Sequence, residues 1–337
     1  MNCKFNLILL IIGILSRVCL ATERTKDGKL KLVIDNDAGG DDAMAIFVAL
    51  LYEKYYDGPQ LVALTTGNGN TLEHNVCRNN QRILKVANRQ NVPIYRGCKS
   101  SIVNTDVANF YYGMDGLGDT GETIPELTPA EEQNAVLRLI ELSKIHEGEL
   151  VIVTVGTLTN VALAMKLDPA FISRLAHLYV AAGHIYSDQE SLPEFNAKMD
   201  PEAYHIMAQN ARPDKITVVP FSQTKIYLNI SKSWRNDVLG RIDNEIVREQ
   251  NKYEKISLGR PGGQWTALDP AAVSAAIKPE LVKEYKYSQN DIILCGEYKG
   301  INTNKFVEKE EANVRVIYSF HEEDYKKFLL DLFSRTE

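Results

Sequence analysis

Short β-branched apolar runs alternate along the chain with stretches of helical spacing, and this alternation constrains the fold more than any other feature. Residues 31–34, 61–64, 92–95, 150–155, 178–182 and 216–219 read as buried strands. Between them, residues 43–55, 75–87, 134–144 and 161–165 carry apolar side chains at helical spacing. Strand and helix in turn imply βαβ units with right-handed crossovers, hence a mostly parallel, Rossmann-like sheet with helices on both faces. Residues 292–319 read as additional C-terminal strands, and 323–333 as a terminal helix. No internal repeat, low-complexity linker or composition break interrupts the pattern, so a single α/β domain is expected. On such sheets ligands sit beyond the carboxyl ends of the strands.

The first 21 residues stand apart. Lys4 precedes an apolar run over 5–14, and Cys19-Leu20-Ala21 places small residues where a signal peptidase cuts. This reads as a secretory signal peptide over 1–21, leaving a mature domain over 22–337. Spanning a bilayer takes about 20 apolar residues, which argues against an anchor, so no membrane association is expected after cleavage. The net charge of −6 is spread along the chain, with no basic patch to attract nucleic acid. Cys77, Cys98 and Cys295 lie beyond the leader, too few for a disulfide scaffold. Cys295 ends an apolar run and reads as a buried free thiol. Asn229-Ile230-Ser231 is a glycosylation sequon.

The strongest local signal is Asp35-Asn36-Asp37-Ala38-Gly39-Gly40-Asp41-Asp42, directly after the first strand. Like charges at this density repel by several kcal/mol at intermediate dielectric. A cation offsets that repulsion, and carboxylate oxygens select a hard divalent ion, calcium or magnesium. The glycines let the backbone turn tightly enough for the acids to converge. Asp41 and Asp42 also open the next helix, where acids suit the free amides. Far down the chain Asp269-Pro270 precedes a small apolar run, with Asp269 expected as helix cap and Pro270 as first helical residue.

The acid loop resembles the aspartate signature of the inosine–uridine-preferring nucleoside hydrolases, strand–Asp-x-Asp-Pro-Gly-x-Asp-Asp–helix. Further segments match in family order. They are 65–70 ending at Asn70, Gly156-Thr157-Leu158-Thr159-Asn160-Val161-Ala162, Glu194-Phe195-Asn196 with Asp200-Pro201-Glu202-Ala203, and Asp269-Pro270-Ala271-Ala272-Val273. The resemblance implies Ca2+ held by Asp37, Asp42, Asp269 and the Val155 carbonyl. It implies a sugar gripped by Asp41, Asn70, Glu194 and Asn196, with Asp35 supporting the loop from behind. The implied reaction is hydrolysis of a ribonucleoside to free base and ribose, with Asp37 as general base to the attacking water. A homodimer or homotetramer is implied as well.

The chain departs from the family pattern in two places. Ala38 replaces a common proline, which loosens the loop slightly. Leu268 stands where well-known members carry a histidine that protonates the departing base, and leucine cannot. Tyr112, Trp265 and His184 are the candidate base contacts, each with a packing role as the alternative. Tyr111 and Tyr112 precede a glycine-rich stretch, 113–119, that resembles a mobile pocket-closing loop. Stacking without a strong acid leans the expectation toward purine nucleosides. Loss of the histidine also motivates a second reading, a secreted calcium-dependent nucleoside-binding protein without turnover. A phosphatase built on an Asp-x-Asp loop fits Asp41, Asp42 and Asp269 poorly.

Overall fold

Every residue of β1 (Lys31–Asn36), β4 (Leu150–Thr154) and β6 (Ile216–Val219) is buried, and strands covered on both faces belong inside a sheet. The computed structural model describes residues 28–103, 108–187, 191–265 and 268–335. The expected signal peptide lies outside the described residues. The remaining strands are β2 (Gln60–Thr66), β3 (Ile94–Arg96), β5 (His177–Ala181), β7 (Val282–Ile292), β8 (Asn302–Phe306) and β9 (Val314–Phe320). They form one nine-stranded sheet in the order β3-β2-β1-β4-β5-β6-β9-β7-β8. β1 to β6 and β9 pair in parallel, while β7 runs antiparallel to both β9 and β8.

Two cores flank the sheet. Alternating residues of β1 serve both: Leu32 and Ile34 enter one, Val33 the other. The first core packs the helices Gly40–Tyr56, Leu268–Ile277 and Glu322–Ser334. The second packs Ala135–Ile145, Thr159–Leu167 and Pro201–Gln209. Each fully buried Leu or Ile contributes about 1.5–3 kcal/mol, so truncating Ile34 to alanine costs about 2–5 kcal/mol.

β1 has β2 on one side and β4 on the other. The chain therefore winds in opposite directions from this pair, and the loops leaving β1 and β4 diverge into a crevice. This topology puts the acid loop and Val155 at one place.

The structure differs from the sequence reading in several elements. β3 begins at Ile94 rather than 92, because Pro93 has no N–H for the ladder. β7 escapes an apolar-run search because it is half solvated, and its sequence VKEYKYSQNDI carries charge on the exposed positions. Cys295 is exposed rather than buried: the apolar run ends at Leu294 and the chain turns outward through Gly296. All three described cysteines are free. Asp269 lies within the first turn of the helix Leu268–Ile277 rather than before it. No described helix is long and apolar enough to cross a membrane.

Candidate active site

The acid loop is shaped by close approaches that only glycine permits. A Cβ on Gly69 would lie 1.8 Å from an Asp37 carboxylate oxygen, and one on Gly39 would lie 2.6 Å from the Asn70 amide nitrogen. Asn70 is thereby pressed between two acids. Its main-chain N–H donates to Asp37 at 2.7 Å, and its Nδ2 donates to Asp37 at 3.0 Å and Asp42 at 3.2 Å. Asp42 also receives the N–H groups of Asp37 and Gly39, at 3.1 and 2.7 Å. Ala38 sits at φ +38°, a left-handed conformation that proline's fixed φ near −65° excludes. The expected loosening from lost proline is therefore replaced by a local strain of about 1–2 kcal/mol.

Asp35 points away from the crevice. Thr65 of β2, Thr154 of β4 and Nδ2 of Asn160 all donate to it, at 2.6, 3.3 and 2.8 Å. Three donors from three elements lock the base of the loop to its neighbours. Burial nevertheless pushes this carboxyl up to about 6.

Asp41, Asp42 and Asp269 present oxygens within 4.8 Å of one another. Burial first, then the charges of Asp37 and Asp41, raise Asp42 well above the usual carboxylate range; burial first, then the charges of Asp41, Asp42 and Asp37, do the same to Asp269. Burial and Asp37 lift Asp41 to about 7, and burial lifts Asp37 to about 6. Acids crowded this way either share protons or hold a cation, and an all-oxygen donor set fits a hard divalent ion. The grouping differs from the sequence expectation in one respect. Asp41 completes the convergent trio, whereas the Asp37 carboxylate is turned to the donors of Asn70.

A cavity opens over these acids. Asp41, Asn70, Val155, Glu194, Asn196 and Asp269 line it on the polar side. Glu194 caps the short helix Phe195–Met199, accepting the N–H groups of Asn196 and Ala197 and also that of Gly183. Asn196 Nδ2 donates to the carbonyls of Val155 and Ala181 at 3.0 and 2.9 Å. With the amide nitrogens of Asn70 and Asn196 thus engaged, only their Oδ1 atoms can face a ligand, and both are acceptors suited to hydroxyl groups.

The same cavity also has an aromatic and apolar lining, Tyr111, Tyr112, Phe195, Phe221 and Leu268, with the exposed Asn109 among its residues. Tyr112 is buried, bonds Asp41 through its hydroxyl, and stands edge-on to Tyr111 with centroids 5.0 Å apart. Trp265 does not reach this cavity. Its Nε1 donates to Glu254 at 2.6 Å, and Glu254 pairs with the fully buried Arg235 at 2.7 Å. The indole is thus the satisfied partner of a buried ion pair. His184 is also absent from the cavity lining, its ring 5.8 Å from Phe221 and 5.4 Å from Tyr186, while Asn302 bonds its backbone at both N–H and carbonyl.

The glycine-rich stretch after Tyr112, which resembles a mobile loop, carries a set of its own hydrogen bonds in this conformation. Asp119 accepts from Met114 N and Asp115 N, Asp115 accepts from Leu117 N and Asp119 N, and Asn79 donates to Asp115 O at 2.6 Å. The segment 188–190 lies outside the described residues. Sequence reasoning missed Asn109, Phe195 and Phe221 as cavity residues. Phe195 stood inside a quoted motif, and Phe221 follows the carboxyl end of β6, where the topology rule points. Asn109 had no such signal.

Comparison with known proteins gives consistent matches. A family model described as "Inosine-uridine preferring nucleoside hydrolase" matches residues 32–327. The "Probable uridine nucleosidase 2" of Arabidopsis thaliana is 35% identical over 184 residues, covering 52% of this chain and 55% of that protein. That match spans only about half of the relative's length. "Uridine nucleosidase 1" of the same plant is 33% identical over 265 residues, covering 74% and 75%. Among solved structures, an "Inosine-Guanosine Nucleoside Hydrolase" superposes with a TM-score of 0.80 at 25% identity, covering 91% of this chain and 99% of that one.

Proposed function

Since the chain belongs to the inosine–uridine-preferring nucleoside hydrolase family, we propose that it is a ribonucleoside hydrolase, cleaving the C1′–N bond of a ribonucleoside with water to yield ribose and free base. The observation that carries this reading is one cavity lined by both clustered acids and aromatic rings. A ribose needs acceptors for its hydroxyls, and Asp41, Glu194 and the Oδ1 atoms of Asn70 and Asn196 supply them. A base needs a flat apolar surface, which Tyr111, Phe221 and Leu268 supply.

Calcium is the ion that this reading assigns to the acids. Asp42 and Asp269, the two shared by the sequence grouping and the geometric trio, would hold it with Asp37 and the Val155 carbonyl. When bound, it would neutralise the carboxylates and lower the pKa of a coordinated water. Asp41 is the one loop acid only partly buried, and it lines the cavity, so it would take a ribose hydroxyl. Asp37, steadied by Asn70, would accept the proton of the attacking water. The surrounding carboxylates favour the positive charge that develops on the ribose as the bond breaks. Leu268 offers the leaving base no proton, so stacking on the wall and solvent would have to assist its departure. This leans the enzyme toward purines, whose larger ring stacks better. Its site of action would be extracellular, as a homodimer or homotetramer, following the expected leader and the family resemblance.

The test is ribose release from inosine, guanosine, adenosine, uridine and cytidine, with and without calcium, against an Asp37→Asn control. Calcium-dependent release well above the control supports the proposal. Saturable binding of inosine without free ribose would instead favour a nucleoside-binding protein, the reading that Leu268 motivates.

A further inference from the structure

Asn109 is exposed and lines the same cavity as Tyr111, Phe221 and Leu268. The main-chain N–H of Tyr111 meets its side chain at 2.8 Å. A peptide N–H can only donate, so the atom it meets must be the amide oxygen. That fixes which way the amide points: the turn holds its oxygen, and its two N–H bonds are the donors it can offer a ligand. The turn itself is held from outside. Phe110 adopts φ +50°, and Arg260 donates to the carbonyls of Phe110 and Tyr111 at 3.1 and 3.0 Å while its guanidinium lies 4.7 Å from the Tyr111 ring centroid.

We infer that Asn109 is a specificity-determining residue: its amide N–H groups select nucleobases that present an oxo acceptor over those that present an amino donor. The inference rests on the nucleoside reading above and deepens it. Leu268 contributes no polar atom to this side of the cavity, and the amide nitrogens of Asn70 and Asn196 are engaged around the acids. A donor at the rim pairs with O6 of hypoxanthine or guanine, or with O4 of uracil; N7 accepts in every purine, so the discrimination falls on the exocyclic group. Against adenine or cytosine it faces an exocyclic amino group, a donor meeting a donor. A polar group left unpaired on binding discriminates by roughly tenfold to a hundredfold.

The experiment compares kcat/KM for inosine against adenosine, and uridine against cytidine, in the calcium-loaded protein and two variants. Asn109→Asp keeps an oxygen for the Tyr111 N–H, so the turn survives, but its donors become acceptors. Asn109→Ala removes both. The expected result is an oxo preference of at least ~10-fold in the native protein, collapsed by Asn109→Asp mainly through a loss on inosine, with an unchanged melting temperature. No preference in the native protein, or an equal loss on all four nucleosides in Asn109→Asp, would overturn it. Should the native protein release no ribose at all, the hydrolase reading fails by itself. Equilibrium binding of inosine against adenosine to the same three proteins then decides the role of Asn109 by the same ratio.

Discussion

Gly69→Ala should disable the site while its neighbour Gly67→Ala should not. A methyl on Gly69 would lie 1.8 Å from Asp37 Oδ2, 2.6 Å from Cγ and 2.8 Å from Cβ. Ordinary contact begins near 3.4 Å, so the carboxylate must retreat by 3.4 − 1.8, about 1.6 Å, and the whole side chain moves with it. That retreat breaks both bonds from Asn70, at 2.7 and 3.0 Å. Hydrogen bonds to a charged group are worth about 1.5–3 kcal/mol each. Partial re-pairing with water lowers the sum to roughly 2–4 kcal/mol, in line with overpacking at buried sites. A catalytic group misplaced by about 1 Å costs about 100-fold in rate. The expected outcome is a kcat for ribose release down at least ~100-fold, with a melting temperature lowered by several degrees. On Gly67 the added methyl would meet Thr157 Oγ1 at 3.5 Å and Asn160 Nδ2 at 3.8 Å, both ordinary contacts, so near-native values are expected. Native kcat in Gly69→Ala, or equal damage in both variants, would refute the argument that close packing of Asp37 governs the chemistry.

Three further outcomes follow from the same structure. Calcium at 100 times its dissociation constant should stabilise the fold by about 2.7 kcal/mol; calorimetry should show Asp42→Asn and Asp269→Asn abolishing that gain, and a gain retained in both would displace the ion from these acids. Ala38→Pro cannot reach φ +38°, so it should cost more than ~1 kcal/mol in urea unfolding and weaken calcium binding; a stabilised variant would contradict the loop conformation. Burial first, then Arg315, holds His177 down at about 4, so the folded state binds fewer protons than the unfolded chain between pH 6.5 and 4. The associated stability is present above pH 6.5 and lost as pH falls through that window, by up to about 3 kcal/mol. Urea titrations at several pH values should therefore show a shallower acid loss in His177→Gln than in the native protein.

Much of the fold was legible because both of its signals are local. A buried parallel strand must be apolar along its whole length, so β1, β4 and β6 announced themselves. The antiparallel β7 did not, since one face meets water and its sequence resembles a charged loop. Ala38 shows the same limit at one residue: nothing in its identity reveals a positive φ. The short helices Phe221–Tyr227 and Lys255–Gly259 also carried too few residues for a periodic signal.

The site divides the same way. Four acids in eight residues state by themselves that a cation or shared protons must offset their repulsion, because Coulomb's law acts on neighbours in sequence whatever the fold. Which of them converge was decided only in three dimensions, where Asn70 draws Asp37 aside and Asp269 arrives from the far end of the chain to join Asp41 and Asp42. Aromatic residues report even less from sequence, since a ring can pack or line a cavity with equal ease. Trp265 turned to a buried ion pair and His184 settled beside Phe221, while Asn109 came to line the cavity. Charge declares itself along the chain; the position of a wall depends on where distant segments meet.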